Sequence, residues 1–210
     1  MSKCKFACTP VALGEKLSST SEHDRVDKKG YRSMVGCLLY LTATRSDIMY
    51  AVSILSRFMH CDNTAHFKAA KRVLRYGKGT LGYGVMLERA EELKLVGYSD
   101  SDWAGSIDDM KITSGYFFTL GSGVFSWSSK KQQTIAQSTA EAEYIVAATA
   151  VNQAIWLRKL LDDLNASQVE ATKDYGRQSV SCCNNQEPCV PWQNKAFQDQ
   201  ISLCEGSRIN

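Results

Sequence analysis

Two pairs of acidic residues have the placement needed to hold a metal ion. Asp100 and Asp102 end a segment that alternates like a β-strand. Glu141 and Glu143 follow Thr139, which can cap a helix, so both are expected in its first turn, where the helix dipole favours acids. If that helix packs near the strand end, the acids meet and offer carboxylate oxygens, the ligands that Mg²⁺ prefers. The alternative is that the aspartates only solvate a turn and the glutamates only serve the helix end.

Residues 93–165 must position these acids, and their pattern predicts an α+β arrangement. Strands are expected at three places, namely residues 93–100, 114–120 and 124–128. A Gly-Ser-Gly turn joins the second strand to the third. A helix is predicted from Thr139 to about Leu164. Three antiparallel strands and one long helix therefore follow one another along the chain.

Residues 1–87 are predicted to be helical after a loose start. Apolar residues at helical spacing indicate three helices, at residues 31–41, 48–59 and 65–76. Ser46 is expected to cap the second helix and Thr64 the third, which should end at a turn over residues 77–79. Residues 166–210 show no periodicity and are predicted to be an irregular tail.

The third of these helices carries a row of basic residues. The row is expected on its exposed side and consists of Lys68, Lys71, Arg72 and Arg75. A charged row is usually a solvated helix face. It could also contact the phosphates of a nucleic acid, and the sequence leaves both interpretations open.

The composition narrows the class of protein. The chain has 210 residues, 44% hydrophobic and 22% charged, with a net charge of +3, which is ordinary for a globular protein. No apolar run is long enough to span a membrane, and the N-terminus lacks an apolar signal segment, so an intracellular protein is expected. The eight cysteines are irregularly spaced without a Cys-x-x-Cys pair, and only three histidines occur, which argues against a disulfide framework and a zinc site.

Several long segments of the chain resemble the Pol polyprotein of copia-type retrotransposons, in particular plant copies. YRSMVGCLLYLTATRSDIMYAVSILSRFMH and HFKAAKRVLRYGKGT are similar to the segment that follows the polymerase palm. VGYSDSDWAG, TSGYFFTLGSGVFSWSSKKQ and STAEAEYIVAATA with WLRKLL resemble the ribonuclease H domain of that family. The Tyr-x-Asp-Asp motif of the polymerase does not occur in this sequence, so no polymerase activity is expected.

The resemblance implies a ribonuclease H-like fold, a five-stranded mixed sheet with helices packed on it. It also implies hydrolysis of the RNA strand of an RNA–DNA hybrid, with Mg²⁺ held by four acidic residues. The first aspartate of the family falls on Asp100 and its glutamate on Glu143. Asp102 and Glu141 are then neighbours of the metal site and not ligands.

The irregular tail has the properties of a sequence read in the wrong frame. The family places its third acid in an Asp-Asn-Gln-Ser-Ala segment on the fourth strand. Read one nucleotide later, the codons permitted for residues 174–177 allow Ile-Met-Val-Asp, and those for residues 177–182 allow Asp-Asn-Gln-Ser-Ala. Residues 186–197 then permit Lys-Asn-Pro-Val-Phe-His-Gly-Arg-Thr-Lys-His, which the family has at this place. The single codon of Trp192 forces the glycine in that match.

We therefore infer a frameshift between about Ala171 and Asp174, and a truncated ribonuclease H-like domain. The lost third acid predicts a degenerate Pol fragment whose ancestral ribonuclease H activity is absent. A weak residual activity would need tail acids such as Glu187 or Asp199 to replace the lost ligand. The remaining alternative is a non-catalytic module, co-opted from the transposon, that binds nucleic acid or protein through the basic helix.

The frameshift makes a direct prediction about the coding DNA. Read one nucleotide later from about Asp174, it should encode the Asp-Asn-Gln-Ser and Lys-His segments of the family. Sequencing the gene is the measurement. A stop codon or unrelated residues in the shifted frame would refute the frameshift.

Overall fold

The computed structural model describes residues 4–12, 14, 16–19, 27–61, 63–89, 93–102, 106 and 108–176. The chain divides into two compact units. The first includes the described residues up to Gly84 together with a short segment, Ser106–Met110. The second includes the described residues of 85–102 and 111–176. The Ser106–Met110 segment belongs to the first unit because the Asp108 carboxylate accepts hydrogen bonds from Ser18 Oγ, at 2.6 Å, and from the backbone N–H of Ser19, at 2.9 Å.

The first unit is helical, as its periodicity predicted. Helix α1 spans Lys28–Leu41, a 3₁₀ turn spans Ser46–Ile48, α2 spans Met49–Ser56, and α3 spans Thr64–Gly79. The apolar faces of the three helices share one core, whose largest members are Tyr31, Leu38, Ile48, Leu55 and Val73. Burial of side chains of this size is the main source of the stability of such a helical unit.

The structure corrects the predicted ends of these helices. Ser46 does not cap an α-helix but begins the 3₁₀ turn, before which Arg45 pairs with Asp47 at 2.6 Å. The cap of α3 is Asn63 and not Thr64, because the Asn63 side chain accepts the backbone N–H of His66 at 2.9 Å. Helix α3 also continues through both glycines of the predicted turn to Gly79. Capping depends on backbone geometry as well as residue type, so adjacent Asn and Thr residues could not be distinguished from the sequence.

The second unit contains a four-stranded mixed sheet. Its strands are β1 (Leu95–Asp102), β2 (Thr113–Leu120), β3 (Gly123–Lys131) and β4 (Lys173–Tyr175), arranged in the order β3-β2-β1-β4. The first three are antiparallel neighbours, as predicted, whereas β4 runs parallel to β1. Together with the helices, the sheet makes the described chain an α+β protein.

One face of this sheet is covered by helix α4, Thr139–Asp163. Leu95 of β1 and Phe118 of β2 form a core with three residues of α4, namely Ala150, Leu157 and Leu161. Gly97 lies opposite Phe118, and a Cβ at Gly97 would come within 2.7 Å of the phenylalanine ring. A larger residue at Gly97 would therefore displace Phe118 from the centre of this core.

Strand β4 contradicts the prediction that residues 166–210 are an irregular tail throughout. It contains only three residues, and its parallel pairing runs from Val96 opposite Lys173 to Tyr98 opposite Tyr175. A parallel neighbour requires a crossover, and α4 supplies it. Alternation was too short over three residues to reveal this strand in the sequence.

Hydrogen bonds from Arg158 and Gln168 fix the chain between α4 and β4. The Arg158 guanidinium donates to the carbonyl oxygens of Gln168 and Glu170, the latter at 2.6 Å. The Gln168 side chain accepts from the backbone N–H of Leu95 at 2.9 Å and donates to the carbonyl oxygen of Leu93 at 2.8 Å. The end of α4 is thereby tied to the start of β1, which places β4 beside β1.

Residues 177–210 lie outside the described part of the chain. This range contains Arg177, the tail acids Glu187 and Asp199, and the cysteines of the predicted tail. Among the described helices, none combines the length and the apolar character that a membrane span requires.

The start of α4 allows a test of the observed cap. Ser138 Oγ accepts the backbone N–H of Glu141 at 3.1 Å, and the Glu141 carboxylate accepts the N–H of Gln137 at 2.7 Å. We expect Ser138→Ala to cost about 1 kcal/mol of stability, because it leaves a helix-end donor unsatisfied. Thr139→Ala, at the predicted cap, should cause no loss of stability, because Thr139 is the first helical residue and alanine has the higher helix propensity. Urea denaturation of both variants gives the comparison, and an equal loss in both would contradict the assignment of Ser138.

Candidate metal centre

Asp100 lies on β1 near the end of the sheet. It is paired with Gly115 of β2 and follows Tyr98, the last β1 residue that pairs with β4. Side chains alternate along a strand, so Asp100 shares the face of Tyr98, whose ring stacks on Phe117 at 4.6 Å between centroids. Asp100 is half-buried and its Oδ1 atom is shielded from solvent. The predicted position at a strand end is therefore confirmed.

Glu143 lies just past the first turn of α4, in which it was predicted, because the cap is Ser138 and the helix begins at Thr139. Only Glu141 is in the first turn, where it completes the cap. Glu143 follows Ala142, which is fully buried and forms part of a small core with Ile112. Glu143 Oε2 is buried and has no hydrogen-bond partner among the described residues. A buried carboxylate oxygen without a partner carries a desolvation cost, which a bound cation would relieve.

A third acid, half-buried and not predicted as a site residue, lies on β4. Asp174 pairs with Gly97, and its Oδ2 accepts the hydroxyl of Ser99 at 2.9 Å. The face that Ser99 and Gly97 share is the face covered by α4, since Leu95 belongs to it. Burial raises the pKa of Asp174, and the Ser99 hydrogen bond partly opposes this shift. Asp174 was not recognised from the sequence because it falls where the tail had been interpreted as out of frame.

The described residues do not fit a two-metal site. Such sites hold two ions about 3.5–4 Å apart, bridged and bound by several carboxylates. Among the described residues, no group of three or more His, Cys, Asp or Glu side chains has an arrangement that could hold a metal ion. Asp100 and Asp174 extend from opposite faces of the sheet. That Asp100 and Glu143 share one ion stays a prediction.

The basic row on α3 is only partly exposed, contrary to the prediction. Lys68 and Lys71 are exposed, whereas Arg72 and Arg75 are half-buried. The Arg72 guanidinium donates to the carbonyl oxygen of Thr9 at 3.1 Å and to its hydroxyl at 2.9 Å. Arg72 therefore anchors the N-terminal segment against α3. This leaves two exposed lysines as candidates for nucleic-acid contact.

Comparisons with known proteins identify the family. The chain is 44% identical over 164 residues to the retrovirus-related Pol polyprotein from transposon RE1 of Arabidopsis thaliana, an alignment that covers 78% of this chain and 11% of that protein. It is 48% identical over 128 residues to secreted RxLR effector protein 161 of Plasmopara viticola, covering 60% of this chain and 90% of that protein. It is also 41% identical over 157 residues to the uncharacterized mitochondrial protein AtMg00810 of Arabidopsis thaliana, covering 74% and 65%.

These relatives place the chain among proteins derived from retrotransposon Pol. More particularly, it belongs to the Pol polyprotein family of copia-type plant elements. The chain spans only about a tenth of the length of the Pol polyproteins that it matches. No family model and no solved structure matches it.

The buried acid on β4 predicts a pH dependence of stability. Because its pKa is raised in the folded protein, Asp174 favours folding at low pH and opposes it increasingly as the pH rises above 3.8, the ordinary value of this group. Above the folded-state pKa the penalty is constant. Asp174→Asn removes the charge, so its stability advantage over the parent should grow with pH and then level off. Urea midpoints at several pH values measure this difference.

Glu88→Gln, at an exposed position, is the control and should track the parent protein at each pH. An Asp174→Asn variant with the same pH profile as the parent would show that the carboxylate is not effectively buried.

Proposed function

We propose that this chain is a degenerate fragment of a copia-type Pol protein, whose second unit is a truncated ribonuclease H-like domain without catalytic activity. The ancestral activity is Mg²⁺-dependent hydrolysis of the RNA strand of RNA–DNA hybrids. The strand order, with β4 parallel to β1 after a crossover through α4, supports the ribonuclease H-like assignment.

The observation that carries the proposal is the character of β4. The face under α4 is otherwise built from small or apolar side chains, such as Leu95, Gly97 and Phe118. In this frame the strand puts the carboxylate of Asp174 there. The shifted frame permits isoleucine at the same codon, which would extend the core. A frameshift within this strand replaces the apolar residue at the core-facing position with an acid. The stabilisation from burying that apolar side chain is then lost.

The same frame removes the third acid of the family. Where the shifted frame allows Asp-Asn, this chain encodes Arg177 and Gln178. Asp174 does not substitute for that acid, because its carboxylate lies on the α4 face and is engaged by Ser99. Two divalent cations about 4 Å apart repel strongly unless several acids neutralise them. The encoded acids are therefore too few for the ancestral reaction.

The second candidate is a non-catalytic module co-opted from the transposon. One observation favours it: the Plasmopara relative, 90% of which is covered by this chain, consists almost entirely of the same segment. Such a module would bind nucleic acid through Lys68 and Lys71, with an affinity that falls steeply as salt is added. Hybrid binding lost on charge removal at both lysines would favour this candidate over an inert fragment.

The proposal predicts no cleavage of a hybrid above background in Mg²⁺. The experiment compares the chain with a frame-restored version on a 5′-labelled RNA annealed to DNA. The restored protein should cleave, because it regains the third acid of the family. Asp100→Asn in the restored protein should reduce the rate by about 10²-fold or more, as expected when reacting groups lose their positioning.

Asp102→Asn in the restored protein is the matched control, since this neighbouring carboxylate is exposed and is not assigned as a ligand. Mg²⁺-dependent cleavage by the unrepaired chain, abolished by Asp100→Asn, would overturn the proposal.

A further inference from the structure

Residues 4–9, here called the N-terminal strap, lie along the basic side of α3. The Arg72 guanidinium donates from Nε to the carbonyl oxygen of Thr9 at 3.1 Å and from Nη2 to its hydroxyl at 2.9 Å. Lys78 Nζ donates to the carbonyl oxygen of Cys4 at 3.0 Å. The two ends of the strap are therefore held by cationic side chains of the same helix.

The acceptors that the strap offers to these cations carry no charge. Neither residues 4–9 nor α3 contains an aspartate or a glutamate. Arg75 lies between Arg72 and Lys78 on the helix, and its Nε atom is shielded from solvent without a hydrogen-bond partner among the described residues. A guanidinium binds the oxygens of a phosphate bidentately, and opposite charges add a Coulombic attraction that a carbonyl oxygen cannot supply. An anionic ligand therefore suits this side of α3 better than the strap does.

The strap is held to α3 by few contacts. None of its residues belongs to a helix or a strand, and four of the six are exposed. The backbone N–H of Ala7 donates to the Arg75 carbonyl oxygen at a long 3.4 Å, and Ala7 is the strap residue that packs against the core. Segments with few buried contacts open locally at a small part of the free energy of global unfolding. We therefore expect the strap to detach from α3 while the helical core stays folded.

We propose that the strap is an autoinhibitory cover over a nucleic-acid surface, and that backbone phosphates displace it to bind Arg72, Arg75 and Lys78. These three cations share one side of α3 with Lys68 and Lys71, since all five fall within about 120° of the helix circumference at about 100° per residue. The uncovered surface then offers five cations to phosphates instead of the two lysines. The inference rests on the second candidate function, the nucleic-acid-binding module, and adds the regulation of its surface.

Gly79→Ala tests the cover, because a Cβ at Gly79 would lie 2.9 Å from the Cβ of Phe6 in the strap. The strap must then move away from α3. Gly77→Ala is the matched control, since a Cβ at Gly77 meets nothing within 4 Å and the helix gains an alanine in both variants. Fluorescence anisotropy with a labelled RNA–DNA hybrid, over a range of salt concentrations, gives the affinity of each full chain.

Gly79→Ala should bind the hybrid at least about threefold more tightly than the parent at low salt, whereas Gly77→Ala should bind like the parent. The slope of log K against log salt should also steepen, by about 0.9 for each phosphate contact that the uncovered cations add. Circular dichroism of each variant establishes that α3 is retained.

Hydrogen exchange in the parent protein tests the displacement without a substitution. Binding of the hybrid should speed exchange of the Ala7 amide, because its bond to the Arg75 carbonyl oxygen opens. Exchange that is unchanged or slower in the complex would overturn the proposed cover, as would a Gly79→Ala variant with the affinity and salt slope of the parent. Absence of binding by both the parent and Gly79→Ala would overturn the nucleic-acid function itself, and the inference with it.

Discussion

The packing of α4 against β1 and β2 is the contact on which the second unit depends. Phe118 is fully buried beneath α4, in the space that Gly97 leaves open, and the helix covers it with Ala150 and Leu157. This contact is also the crossover that lets β4 lie parallel to β1. The packing of α4 on the sheet therefore determines which face of the sheet is buried, which side of α4 faces outward, and where each acid of the second unit lies.

The acids differ because this packing gives each a different environment. Asp174 is pressed into the covered face, where burial raises its pKa and Ser99 supplies one hydrogen bond. Asp100 lies on the other face, beyond the end of the β4 pairing. Glu141 completes a helix cap, whereas Glu143 keeps a buried oxygen without a partner among the described residues. A two-metal site needs several such groups gathered around one point, whereas the fold places Asp100 and Asp174 on opposite faces of the sheet.

In both units, arginine side chains hold neighbouring segments of the chain in place. Arg72 and Arg158 bind backbone carbonyl oxygens and fix irregular chain against a helix, and Arg45 is paired with Asp47. Arginine suits this role because its rigid fork can satisfy several acceptors at once. A row of basic residues in a sequence thus mixes structural groups with accessible ones, and in the row on α3 the accessible ones are Lys68 and Lys71.

Sequence alone determined the elements with long periodic patterns and the family. The three antiparallel strands, the long helix and the helical first unit were predicted, because strand-like runs bounded by turns and helical spacing over longer runs leave few other interpretations. The family followed from long, distinctive segments. Tertiary structure alone decided the caps at Asn63 and Ser138, the short parallel strand β4, and the burial of Asp174 and Arg72. Each of these depends on which distant segment lies alongside, and three residues or a single side chain carry no periodic signal from which that neighbour can be inferred.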